Sequence, residues 1–146
     1  YAKSRTQGGK AIAKYQAVSH RIAEMKVRIE AARLLVYKAC WTHDRGRDAT
    51  LDISIAKLAV SEAIVALGID AIRVHGGLGY VRETGIDRTL LDGLGSILFS
   101  GTSDIQRELI AQRLLYGSRS PSGRDARAAL DLPALNHSSV ELGGFR

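Results

Sequence analysis

The sequence predicts an all-α fold, an antiparallel helical bundle of the four-helix type. The first observation behind that class is a long apolar stripe: Tyr15, Val18, Ile22, Met25, Ile29, Ala32, Val36 and Ala39 recur in steps of three and four, the period of one helix face. The second is a following segment with two such stripes, one through Leu51, Ile55, Leu58, Val65, Ile69 and Ile72 and the other through Ile53, Ala56, Val60, Ala63, Leu67 and Val74. A helix apolar on two sides is packed between neighbours. The third is that no segment alternates long enough to specify a strand, which leaves helix on helix as the architecture.

The elements follow in order. Residues 1–10 are polar, with a break at Gly8-Gly9, and read as a helix end passing into a loop. The first long helix, about 30 residues, meets no Gly or Pro until Gly46, so Arg45-Gly46-Arg47 is its terminus. Asp48 or Thr50 can cap the next helix, which runs to about Val74 and stops at His75-Gly76-Gly77-Leu78-Gly79, where glycine supplies a left-handed C-cap. A short helix over roughly 84–92 is expected to end at Gly93 and Gly95. Ser100-Gly101-Thr102-Ser103 reads as a turn with capping hydroxyls, and an amphipathic helix through Ile105, Leu109 and 111–115 closes the domain at Gly117. The expected domain is thus 1–117. Residues 118–146, with Ser118–Arg124, Pro133 and a Gly-rich end, read as a loosely held tail. Two long and two short helices supply few partners for a helix with two apolar faces, so a further helix or another subunit is expected beside it.

Composition narrows the function classes. The 146 residues hold 21 Lys+Arg against 15 Asp+Glu, a net charge of +6. All of the excess lies in residues 1–33, which carry eight cations and two anions, while the rest balances. Localised charge points to an anion site or a solvated helix face, and away from a nucleic-acid coat. One cysteine supports neither an internal disulfide nor a cysteine-based zinc site, so a reducing, cytoplasmic setting is the expectation. No apolar run approaches the ~20 residues of a membrane span. The opening Tyr1-Ala-Lys-Ser-Arg5 has neither an initiator Met nor a signal segment, and reads as if cut from a longer chain.

Individually, the notable residues have plain explanations. The Gly76-Gly77-x-Gly79 loop follows a helix and not a strand, so it is neither a Walker loop nor a dinucleotide fingerprint, and a helix C-cap is the default. His75 by default is a hydrogen-bonded structural histidine. Glu62 falls on an apolar register, where an unpaired carboxylate is costly, so an arginine from another helix is its expected partner. Cys40 and Trp41 read as packing groups.

In combination the motifs say more. Read in order, Tyr1-Ala-Lys-Ser-Arg-Thr-Gln-Gly-Gly-Lys10, Tyr15-Gln16-Ala17, Glu30-Ala-Ala-Arg33-Leu, Ala39-Cys-Trp41, Ala56-Lys57, Ser61-Glu62, Asp70-Ala71, His75-Gly-Gly-Leu-Gly79-Tyr and Gly101-Thr-Ser-Asp-Ile-Gln-Arg107 closely resemble the C-terminal helical domain of acyl-CoA dehydrogenases. The match covers about residues 1–117. The resemblance implies an FAD-dependent α,β-dehydrogenation of an acyl-CoA or other acyl thioester. It also implies a homo- or hetero-oligomer, usually a tetramer, with two further domains and the bundle's opening helix upstream of Tyr1. Neither nucleic acid nor membrane is an expected partner, and no metal is implied. Carried over position by position, Arg5 donates to the FAD pyrophosphate of a neighbouring subunit, with Gln7 beside it. Gln16 matches a flavin-facing helix start, Gly76 and Gly77 a backbone approach to the cofactor, and Thr102 and Asp104 the turn at its adenine and ribose side. Within that frame Lys14, Arg21, Lys26 and Arg28 remain ordinary surface charge.

The departures from the family pattern are informative. Gly8 stands where the family has an aromatic, and Arg73 where it has Gln three residues before the glycine pair, a change that either gains a phosphate contact or disturbs one. The Arg-Asp-Ala-Lys stretch is Leu91-Asp92-Gly93-Leu94, and an often-Arg position is Gln112. Ser100 replaces the glutamate that many members place before the Gly-Thr-Ser turn. A serine hydroxyl is not a general base for an α-proton at neutral pH, although the backbone N–H there can still serve an oxyanion hole. Three readings follow from Ser100: a base on the upstream helix, as in the isovaleryl and long-chain branches; a non-catalytic subunit of a heteromeric dehydrogenase; or a relative whose flavin activates oxygen. A helical module that binds anionic partners through residues 1–33 is the competing class.

Overall fold

The computed structural model describes residues 1–117; the expected tail over 118–146 lies outside the described residues. The expected helices are present. Helix α1 spans Gln16–Asp44, α2 Thr50–His75, α4 Ile86–Ser96 and α5 Ser103–Tyr116, with a one-turn helix α3 at Gly77–Tyr80. Helices α1 and α2 run antiparallel, since Thr42 bonds Asp52 near one end and Arg28 bonds Asp70 near the other. As its two stripes require, α2 is the central element and packs on α1, α3, α4 and α5.

Two expectations are corrected. Residues 1–10 are not a helix end. Thr6–Gln7 (β1) and Lys10–Ala11 (β2) form an antiparallel hairpin with Gln7 opposite Lys10. Gly8 (φ +54°) and Gly9 (φ +76°) are both left-handed, as a two-residue hairpin turn demands, and strands of two residues are too short to show alternation. A short 3-10 turn at Ile12–Lys14 then leads into α1. The second correction concerns Gly93 and Gly95, which lie inside α4. A Cβ at Gly93 would stand 3.5 Å from the Ile64 backbone, and one at Gly68 on the facing helix only 3.0 Å from Leu90 Cα. These glycines let α4 lie close against α2.

Local chemistry sets the connections. The N-cap of α2 is Ala49, with no side-chain capping bond; Asp48, just before it, accepts from the Thr50 backbone N–H at 3.0 Å and the Thr50 hydroxyl at 2.6 Å, and pairs with Arg113 of α5 at 2.7 Å. These bonds hold its carboxyl below the usual range. The Thr102 hydroxyl accepts from Ile105 N–H at 3.3 Å and caps α5. Glu62 has the expected arginine, Arg107 of α5. Cys40 and Trp41 are not buried packing groups. Both are exposed, and the Trp41 indole carries the Arg45 guanidinium at 4.6 Å.

No large side chain is fully buried among the described residues, and Val27, Leu34, Trp41, Leu114 and Leu115 stand at least half exposed. Burial of such side chains is worth about 1.5–3 kcal/mol each, so these faces are sites for further packing.

Candidate functional site

Five of the residues singled out by sequence meet in one cleft. Tyr1 stacks on His75 with ring centroids 4.5 Å apart, and its hydroxyl donates to the His75 carbonyl at 3.3 Å. That contact ties the N-terminal hairpin to the C-terminal end of α2. The resulting cleft, about 380 Å³, is lined by Arg5, Gln7, Arg73, Gly76 and Gly77, with Tyr15 and His75 among its walls. Its lining holds two guanidinium groups and no carboxylate. Among the described residues Arg5 forms no ion pair, while Arg73 reaches Asp70 at 3.5 Å with its side chain still largely exposed. Gly76 ends α2 with φ +61°, and a Cβ at Gly76 or Gly77 would meet nothing within 4 Å. The wall is bare backbone with open space in front of it. His75 is structural here, its Nδ1 2.8 Å from the Ala71 carbonyl.

The same corner accounts for Gly8. A Cβ there would fall 2.5 Å from the Tyr15 hydroxyl, which donates to the Gln7 carbonyl at 2.9 Å. The Tyr15 ring, with Lys10 Nζ 4.1 Å from its centroid, fills space beside the position that lacks a side chain. Gln16 is exposed at the first turn of α1 and does not line the cleft.

Ser100, Thr102 and Asp104 lie elsewhere. Ser100 adopts φ +57°, a left-handed conformation that costs a non-glycine residue about 1 kcal/mol. The buried Gln106 side chain donates to its carbonyl at 3.3 Å, and Ser103 N–H donates to the Ile97 carbonyl at 3.1 Å, so the turn is held from both sides. Ser100 sits at the edge of an apolar groove of about 620 Å³, whose walls include Val36, Ala39, Ile53, Val60 and Phe99. Thr102 and Asp104 open on a third cleft, of about 470 Å³, together with Glu62 and Arg107. Of the expected cofactor residues, five therefore line one cleft and Thr102 and Asp104 another, while Gln16 lines neither and Ser100 lies at the apolar groove. Gly101, at φ +85°, would place a Cβ 2.5 Å from Gln106 Nε2. Replacing Gly101 with Ala is expected to cost about 2 kcal/mol of stability in urea unfolding, since strain and a displaced Gln106 combine.

The structure also overturns the reading of Arg21 and Arg28 as ordinary surface charge. Both donate to Asp70, at 2.7 and 2.6 Å, and Asp70 is only 7% exposed. Burial alone raises the Asp70 carboxyl, but the hydrogen bonds and charges of Arg21 and Arg28 outweigh it and hold the group below the usual range. The signal was in the sequence. Two arginines seven apart on α1 share one face, and the Asp70 position lies inside a helix read as packed on two sides. Lys26 and Lys14 remain surface charge, Lys26 pairing with Glu30 along the helix. Among the described residues no group of three or more His, Cys, Asp or Glu is placed to hold a metal, and no helix is long and apolar enough to cross a membrane.

The bundle and its order of motifs define the class. The family described as "Acyl-CoA dehydrogenase, C-terminal domain" matches residues 1–115, and the chain belongs to it. Its sequence is 52% identical over 114 residues to the L-prolyl-(peptidyl-carrier protein) dehydrogenase of a Serratia species, covering 78% of this chain and 30% of that protein. Among solved structures, the FAD complex of PigA superposes with a TM-score of 0.76 at 52% identity, over 78% of this chain and 30% of that one. The prolyl acyl carrier protein oxidase AnaB does so at 0.76 and 43%, with the same coverage. The chain thus spans about 30% of the length of the curated relatives it matches.

Proposed function

We propose that this chain is the C-terminal bundle of an FAD-dependent dehydrogenase acting on an acyl thioester, with a prolyl group on a carrier protein as the substrate. The observation that carries the cofactor is the cleft in which Arg5 and Arg73 face the bare backbone of Gly76 and Gly77 with no carboxylate in the lining. A guanidinium suits a pyrophosphate because it stays charged and forks onto two oxygens. The carrier-borne substrate is supported by the 52% identity to a prolyl-carrier protein dehydrogenase.

When bound, FAD supplies the hydride acceptor. Arg5 and Arg73 hold the pyrophosphate of a flavin seated on a neighbouring copy, and Gln7 donates beside them. Gly76 and Gly77 allow close approach of the backbone. Thr102 and Asp104, on a different opening, meet the adenine and ribose side, and Gln16 faces flavin at the start of α1. The backbone N–H of Ser100 orients the thioester carbonyl. The Ser100 hydroxyl is not the base for the α-proton; in this reading that role belongs to a carboxylate on an upstream helix, as in the isovaleryl and long-chain branches of the family. Further helices of the same polypeptide, or other subunits of an oligomer such as a tetramer, cover the exposed apolar faces of the bundle.

The direct test is to add the prolyl-loaded carrier protein to the complete FAD-loaded protein and follow bleaching of the flavin absorbance. Bleaching supports this reading; an unchanged spectrum with prolyl and acyl thioesters alike overturns it. A second reading, favoured by Ser100, makes the chain part of a non-catalytic subunit of a heteromeric dehydrogenase, and predicts bleaching only when a partner polypeptide is present. Replacing Ser100 with Ala should leave kcat within about threefold of the parent; a fall of 10²-fold or more, the range of a lost general base, would make the hydroxyl catalytic.

A further inference from the structure

Lys57 of α2 lines the apolar groove beside Ser100, and among the described residues no carboxylate pairs with it. Its part-buried ammonium donates instead to the carbonyl of Ser96, the last residue of α4, at 3.0 Å. A helix end leaves carbonyls without intrahelical donors, and a cation there also complements the helix dipole. Ser61, one turn further along α2, meets the same end of α4. The Ser96 hydroxyl lies 3.4 Å from the Ser61 carbonyl and 2.6 Å from that of Gly93.

The Ser96 carbonyl is the acceptor that a continuing α-helix would assign to the N–H of Ser100, four residues on. Here the helix stops short. The Leu98 and Phe99 N–H groups both turn back to the Gly95 carbonyl, at 3.0 and 3.3 Å. Ser100 leaves the helical region with φ +57°, and its N–H donates to no acceptor among the described residues. The rest of the turn is tied down, with Ser103 N–H on the Ile97 carbonyl and Gln106 on the Ser100 carbonyl.

We propose that Lys57 is a positioning residue for this amide. By occupying the Ser96 carbonyl it ends α4 and keeps the Ser100 N–H free to bind the thioester carbonyl. The proposal rests on the dehydrogenase reading, in which that N–H orients the carbonyl, and adds what holds the donor unpaired. Negative charge develops on the thioester oxygen as the α-proton leaves, and a preorganised donor acts by facing that oxygen. Without the ammonium, the Ser96 carbonyl is open to the Ser100 N–H, α4 can gain a residue, and the donor is withdrawn from the groove.

The test uses the complete FAD-loaded protein with the prolyl-loaded carrier protein as substrate. Lys57→Met keeps the apolar stem, suits the groove walls and removes the donor. Its kcat should fall at least about tenfold, part of the roughly 10²–10³ that losing an oxyanion donor costs. KM should stay within about threefold of the parent, since the interaction belongs to the transition state. Lys57→Arg, which restores a charged donor, should recover most of the loss. An unchanged kcat in Lys57→Met overturns the proposal. So does a raised KM at constant kcat, which would make Lys57 a substrate contact, and so do equal losses in Lys57→Met and Lys57→Arg. Should the parent bleach with no thioester, the dehydrogenase reading itself fails. The action of Lys57 on the turn is then decided by crystal structures of the two complete proteins. A Ser100 N–H bonded to the Ser96 carbonyl in Lys57→Met supports it, and an unmoved turn rejects it.

Discussion

Replacing Asp70 with Ala is expected to lower the stability of the bundle by about 3 kcal/mol, toward the lower end of what removing one member of a buried ion pair costs. Asp70 is the meeting point of Arg21 and Arg28 on α1 and of α2 itself. Without the carboxylate, two guanidiniums face each other across a part-buried site with no counter-charge. Their side chains are about one-third exposed, at 32% and 38%, so water recovers some of the loss; the effect is accordingly placed below 5 kcal/mol. Urea unfolding at neutral pH measures it. The pH dependence follows with a definite sign. Because the folded carboxyl lies below its unfolded value of about 3.9, the stabilisation is fully present above that value and is lost as pH falls through the folded one. Asp52, lowered by hydrogen bonds from Thr42 and Lys38, adds in the same direction. Asp70→Asn should therefore flatten the acid limb of the stability curve below about pH 4 as well as lowering its plateau. A variant with the parent's acid limb would show that the clamp carries no stability.

The second large effect concerns the flavin. A hydrogen bond to a charged group contributes about 1.5–3 kcal/mol net, so Arg5→Ala is expected to weaken FAD binding by at least about tenfold. Arg73 lines the same cleft but shares its charge with Asp70 at 3.5 Å, so Arg73→Ala should weaken binding less. The double variant should approach 100-fold. Because Asp70 keeps Arg21 and Arg28 at 2.7 and 2.6 Å in all of these variants, their unfolding curves should stay close to the parent's, which separates loss of cofactor from loss of fold.

The helices were legible in the sequence because each long segment repeats its apolar pattern over six or more turns. The double stripe of Thr50–His75 correctly made α2 the central helix. What escaped was short or tertiary. The hairpin at Thr6–Ala11 has two residues per strand, below the length at which alternation means anything. Gly93 and Gly95 read as stops because glycine usually ends helices, yet Gly93 serves the close approach of α4 to Ile64 of α2, which only the partner's position reveals, and Gly95 lies beside Phe99. Arg21 and Arg28 looked like solvated charge because the sequence shows that they share a face and that Asp70 lies inside a packed helix, but not that these two faces meet across more than forty residues. For the site, Arg5, Gln7, Arg73, Gly76 and Gly77 do meet in one cleft. Gln16, Thr102 and Asp104 lie outside it, because which surfaces face one another depends on chain contacts that a single sequence does not show.

The central claim is that the cleft beneath the N-terminal hairpin holds the flavin pyrophosphate, and the most direct measurement is the FAD dissociation constant of the complete protein with and without Arg5. The account predicts that Arg5→Ala raises that constant at least about tenfold while the urea midpoint stays unchanged. An unchanged FAD affinity in a folded Arg5→Ala protein would contradict it.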